Sequence, residues 1–202
     1  FPVLEDTLTL ISQARNRALA ERVIRDFSER LNLIQLPLST TVLQQQVEQL
    51  HTQAHTEWNI SYLSGGTEDQ EDSPEWFACT VELKRQTIDL MDVNSARCAE
   101  QNAELIRTIH EYAETALQAI AAPIEQADLI TQTSAIVVEC RRRHKSSCFP
   151  EDGAVLWQVC EREILKQIQL ALDANLELCQ TRLQEYVDLA TQTIADLPAG
   201  EG

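Results

Sequence analysis

The scarcity of helix breakers constrains this chain more than any other feature. Its 202 residues hold five glycines and six prolines, and no proline falls between Pro74 and Pro123. Leu, Ala, Gln and Glu fill the intervals, and these residues lose little rotamer freedom in a helix. A β-sheet needs turn signals at short, regular intervals, and they are missing. With 44% of residues apolar, the chain is long enough to bury a sizeable core. The expected fold class is all-α: a disulfide-stabilised bundle of about five helices, two of them long.

The first helix is expected over residues 6–31. There Leu8, Ile11, Arg15 (by its stem), Leu19, Val23, Phe27 and Leu31 recur at helical spacing. It stops before Leu36-Pro37, because a proline restricts the residue ahead of it. Ser39-Thr40-Thr41 offers an N-cap to a second helix that buries Leu43, Val47, Leu50, Ala54, Trp58 and Tyr62 and ends at Gly65-Gly66. Ser73-Pro74-Glu75 opens the third, with a bend expected at Val93-Asn94-Ser95. The fourth runs from Pro123 to Cys140, a compact loop from Arg141 to Gly153 follows, and the fifth reaches Ala195 before Pro198.

An offset of 81 residues lays the third helix on the fifth, as Trp76 on Trp157 shows. The same offset pairs Cys79 with Cys160, Glu82 with Glu163, Gln86 with Gln167, Asp92 with Asp173, Asn94 with Asn175 and Cys98 with Cys179. Two tryptophans and four cysteines in one register mark an internal repeat, read as a duplicated helical hairpin. The chain is therefore expected to be a single helical domain over residues 1–202. It comprises an N-terminal helix (1–38), a first hairpin (39–121) and a second (122–202). In this register Cys140 falls opposite Asn59.

Six cysteines, Cys79, Cys98, Cys140, Cys148, Cys160 and Cys179, form no CxxC pair and no zinc spacing, which points to disulfides. Nineteen residues along a continuous helix span roughly 28 Å, and bonded cysteines keep their Cα atoms within about 7 Å. Cys79 and Cys98 therefore cannot pair with each other. Cys98–Cys179 is the expected bond, at equal height on equivalent helices. Cys79–Cys160 and Cys140–Cys148 are favoured next, with Cys79 bonding Cys140 or Cys148 as the alternative.

The formal charge is −16, from 32 acids against 16 bases, which excludes nucleic acid as a partner. No apolar run is long enough to cross a membrane. The even cysteine count, a start at Phe1 without Met and the sequon Asn59-Ile60-Ser61 together point to a secreted, extracellular protein freed of its signal peptide and glycosylated at Asn59.

Little in the sequence suggests chemistry. His51 and His55 have the spacing of a helical metal pair, but no glutamate stands between them in the metalloprotease position and no third ligand is apparent. They read as polar-face histidines. No nucleophile elbow or phosphate loop occurs, so the expectation is no enzyme, no metal and no cofactor. The acidic stretch from Glu68 to Glu75 lacks the central glycine of an EF-hand and reads as a solvated connection. Trp76 and Trp157 read as core residues at equivalent hairpin bases.

Arg141, Arg142, Arg143 and Lys145 concentrate four of the sixteen basic residues between Cys140 and Cys148. One reading is an exposed, cross-linked basic loop that contacts an anionic receptor surface or glycan. The other is a cluster that favours the carboxyl end of the fourth helix.

The repeated Trp-x-x-Cys with a second Cys nineteen residues on, set around the Cys140–Cys148 loop, resembles the cysteine-containing helical secretory proteins of flies and mosquitoes. These include the TsetseEP-like family and mosquito salivary proteins of the neutrophil-stimulating-factor type. The likeness covers residues 74–190. It implies a non-enzymatic salivary effector that modulates vertebrate immune cells through a host protein or cell-surface receptor. The alternative function is a carrier that holds a lipid or other apolar ligand within the bundle.

Overall fold

The computed structural model describes residues 2–62 and 73–195, with side chains from residue 7 onward except 150–152. Five helices follow one another: α1 (Pro2–Asn32), α2 (Thr40–Ser61), α3 (Pro74–Gln118), α4 (Gln126–Ser147) and α5 (Pro150–Ala195). No strand occurs among the described residues. The all-helical class and the two long helices are as the sequence dictates. Gly65-Gly66, the acidic residues 68–72 and Pro198 lie outside the described residues.

The chain divides into two compact units, Phe1–Glu100 and Gln101–Gly202. The boundary falls inside α3, not at the hairpin limits expected from the sequence. The reason is that α3 buries one residue after another along its length, from Trp76 through Asn102 to Ala113. Its first half serves one core and its second half the other.

In the first unit α1, α2 and the first half of α3 enclose a core of Leu19, Val23, Phe27, Leu31, Leu43, Val47, Ala54, Trp58, Trp76, Cys79 and Leu83. These positions recur at three- and four-residue steps on each helix, so each contributes one apolar stripe. Trp58 is fully buried and stacks on Trp76 with ring centroids 5.1 Å apart. Leu8 and Ile11, the start of the α1 stripe, remain exposed.

In the second unit the later half of α3 joins α4 and α5 around Ile109, Ala113, Ile136, Cys140, Cys160, Ile164 and Ile168. His144 stacks on Trp157 at 4.8 Å, and His110 meets Gln167 at 3.4 Å between α3 and α5.

Two elements differ from expectation. The bend expected at Val93-Asn94-Ser95 is absent as a break, since α3 is one uninterrupted helix. Asn94 instead turns its side chain onto the loop before α2, so its poor helix propensity is offset by a tertiary contact. Helix α4 extends two turns beyond Cys140 to Ser147, so the segment expected as a basic loop is helical. Arg and Lys are good helix formers, and their charge is favoured near the carboxyl end of the helix dipole.

Candidate functional site

All six cysteines are free thiols in the structure. Cys98 donates to the carbonyl of Leu38 at 3.4 Å, and Cys179 to that of Ile124 at 3.8 Å. Cys79 belongs to the first core and Cys160 to the second. Cys140 and Cys148 lie about 12 Å apart along helical backbone, too far for the loop-closing bond expected between them. Cys148 rests on the side-chain carbonyl of Asn102 at 3.4 Å.

The four basic residues are drawn into the last turns of α4, where most of their charge is answered. Arg141 pairs with Glu161 of α5 at 2.7 Å. Arg142 and Arg143 share Glu139, at 2.7 and 2.9 Å, and their hydrogen bonds hold its carboxyl down to about 2. Arg143 also lies 3.8 Å over the ring of Tyr112. Lys145 is exposed beyond them.

His51 and His55 do not converge on a common point. His51 reaches Thr87 at 3.0 Å and tilts against Phe27, and burial, with Lys84 nearby, lowers its pKa. His55 packs on Trp76 and touches Asn59 at 3.3 Å. No group of three or more metal-ligating side chains occurs among the described residues. Asn59, the sequon residue, sits within α2 with its Oδ1 buried and unbonded and its amide nitrogen turned to His55.

The best-defined polar feature is one the sequence reading passed over. Three buried asparagines each grip a loop backbone at both its donor and its acceptor. Asn94 accepts from Leu38 N–H at 2.8 Å and donates to Leu38 C=O at 2.8 Å. Asn175 does the same to Ile124, at 2.9 and 3.0 Å. Asn102 accepts from Phe149 N–H at 2.9 Å and donates to its carbonyl at 3.1 Å. Buried backbone groups outside helices need such partners, so these side chains fix loops α1–α2, α3–α4 and α4–α5. A signal was present: Pro37-Leu38 and Pro123-Ile124 recur at an offset of 86, as do Asn16 and Asn102.

The second surface feature is the end of α5. Every residue from 180 to 195 is exposed, including Leu183, Tyr186, Val187, Leu189 and Ile194. Open grooves occur elsewhere, one of them between Leu31, Ile34, Gln86 and Leu90 in the first unit. Leu43 and Trp58 are fully buried in the first unit, and Ile109 and Ala113 in the second. No helix among the described residues is long and apolar enough to cross a membrane.

No family model, no curated protein and no solved structure matches the chain. The resemblance to insect secretory proteins therefore stands on the residues that carry it and on nothing else.

Proposed function

We propose that this chain is a non-enzymatic interaction protein, built by duplication of a three-helix unit, which docks an apolar-faced helical hairpin of a protein partner on the second half of α5. The observation that carries this reading is the contrast between matched helix halves. The 81-residue offset sets Leu183 on Asn102, Tyr186 on Leu105, Val187 on Ile106 and Ile194 on Ala113. In α3 that half lies under α4 and α5, with Ala113 fully buried. In α5 the same stripe, at three- and four-residue spacing, meets water, with Leu183 66% and Ile194 69% exposed. An amphipathic helix lacking its covering hairpin is suited to receive one from outside.

The duplicated unit in this reading includes α1. The offset is 86 residues from α1–α2 to α3–α4 (Pro37 to Pro123) and 81 from α3 to α5, because equivalent residues stand five further apart in the first unit, 25 from Ala54 to Cys79 against 20 from Cys140 to Cys160. Burial supports the longer offset for α2: Leu43, Val47 and Ala54 are buried, as are Leu129, Thr133 and Cys140. The correspondence of Cys140 with Asn59 is therefore replaced by one with Ala54.

The secretory cues make the partner extracellular, and the resemblance to salivary effectors makes vertebrate leukocytes the cells to test. Labelled protein should bind them saturably. A variant carrying Leu183→Glu, Val187→Glu and Ile194→Glu should lose that binding and unfold at the same temperature, since these side chains lie outside both cores. No binding by the parent protein overturns the effector reading. Equal binding by parent and variant overturns the α5 surface.

A further inference from the structure

Helices α4 and α5 run antiparallel, and their cross-helix contacts fix the register between them. His144 meets the carbonyl of Gly153 at 3.2 Å and stacks on Trp157 at 4.8 Å. One turn further in, Arg141 bridges to Glu161 at 2.7 Å. Cys140 lies one turn before His144 on α4, and Cys160 lies one turn after Trp157 on α5. Residues one turn apart occupy the same helix face, so the two thiols follow the stacked rings into the core at the same height. Cys140 is fully buried and Cys160 nearly so, and both belong to one apolar cluster.

We propose that Cys140 and Cys160 are a redox pair that closes into a disulfide stapling α4 to α5. Small side chains at both positions allow the close helix approach that a disulfide requires. The alternatives are poorly placed. Cys148 lies about 12 Å along the helix from Cys140 and is engaged with Asn102, while Cys79, Cys98 and Cys179 each face other contacts. Cys160 also bears on Cys140, which is pushed up to about 11 by burial first and then by the neighbouring thiol.

The chemistry needs an oxidant of the small-molecule disulfide class, such as oxidised glutathione. One protein thiolate attacks it, forming a mixed disulfide and releasing one glutathione thiolate. The second protein thiolate displaces the other glutathione. Two protein thiols and one glutathione disulfide thus become one protein disulfide and two glutathione thiols, with the protons passing to the leaving thiolates. Burial raises both thiols, so closure belongs to folding or to transient opening of the hairpin, when thiolate forms more readily.

The first unit carries a built-in comparison. The two offsets that relate the units place Ala54 at the position of Cys140 and Cys79 at that of Cys160. Ala54 and Cys79 are both buried, one turn in from the stacked Trp58 and Trp76. The first unit therefore has half of the staple.

The test is to refold the reduced full-length chain in a mixture of oxidised and reduced glutathione, block free thiols and map the bonds by peptide mass spectrometry without reduction. A Cys140–Cys160 linked peptide is expected, with a melting temperature roughly 5–10 °C above that of the reduced protein. The Cys140→Ala variant should lose this redox dependence. Recovery of Cys140 as a blocked free thiol, or joined to a different cysteine, overturns the proposal. A second arm uses Ala54→Cys, in which the added thiol should bond to Cys79 under the same conditions. If it stays free in a folded variant, the register on which the pair was assigned is wrong.

Discussion

Asn94 holds Leu38 by both backbone groups, accepting from its N–H and donating to its carbonyl at 2.8 Å each. The contact joins α3 to the loop 56 residues earlier in the chain, and Asn94 is only 2% exposed. Neither Leu38 group has a helical partner to fall back on, so the amide side chain takes the place of secondary structure there.

Replacing Asn94 with Ala should therefore destabilise the first unit by about 1–2 kcal/mol, because the Leu38 N–H loses its partner and the carbonyl keeps only the weaker Cys98 thiol. Asn94→Asp should be no rescue at neutral pH: a carboxylate still accepts from Leu38 N–H but cannot donate to its carbonyl. Urea denaturation of both variants checks this, and wild-type stability in Asn94→Ala would dismiss the contact as dispensable. Asn175→Ala tests the matching grip on Ile124.

Gly153 carries a different constraint. A Cβ built there collides with the Sγ of Cys148, because α5 begins immediately after the loop that Asn102 pins. Gly153→Ala should destabilise the second unit by about 1–3 kcal/mol through overpacking, although alanine is otherwise the better helix former. Shortening the neighbour with Cys148→Ala should recover most of that loss in the double variant. Additive losses in a double-mutant cycle would show that the clash is not the cause.

The helices were legible in the sequence because their signals are local. Pro37, Pro74 and Pro123 punctuate the chain, and the stripes through Leu19–Leu31 and Leu43–Trp58 recur at one-turn steps. What escaped was tertiary. Arg141 to Lys145 look like a loop because charge clusters there, yet the same residues extend α4 once Glu139 and Glu161 answer their charge. Asn94 looked like a helix weakener because its partner, Leu38, is far away in sequence. The Cys98–Cys179 and Cys79–Cys160 expectations rested on matching heights between equivalent helices, and equal height says nothing about which face each cysteine presents. Leu8 and Ile11 continue the α1 stripe and remain exposed all the same, since periodicity shows a face without showing what covers it.

His51 makes stability depend on mild acid. Its pKa is lowered from 6.5 by burial and by Lys84, so the unfolded chain takes up a proton more readily than the folded one. Stability contributed by neutral His51 is present above pH 6.5 and falls as the pH drops from there toward its folded value. Denaturation midpoints measured from pH 7.5 to 5 should show this loss, and His51→Gln should flatten it over that interval. An unchanged slope in the variant would assign the acid sensitivity to other groups.

The buried thiols impose the opposite limit. Burial pushes Cys79 and Cys140 from 9.0 up to about 11. Between those values the unfolded chain has already lost a proton that the folded chain keeps. Each reduced thiol thus contributes stability that is full below pH 9.0 and declines as the pH rises toward about 11. In the fully reduced protein this predicts an alkaline loss of stability that Cys79→Ala diminishes. It also predicts an order of modification at neutral pH: a thiol reagent should reach Cys148 and Cys179, which are partly exposed, before Cys79, Cys140 and Cys160. Equal labelling rates at all these cysteines would mean that both units open faster than the reagent reacts, and that their packing protects no thiol on that timescale.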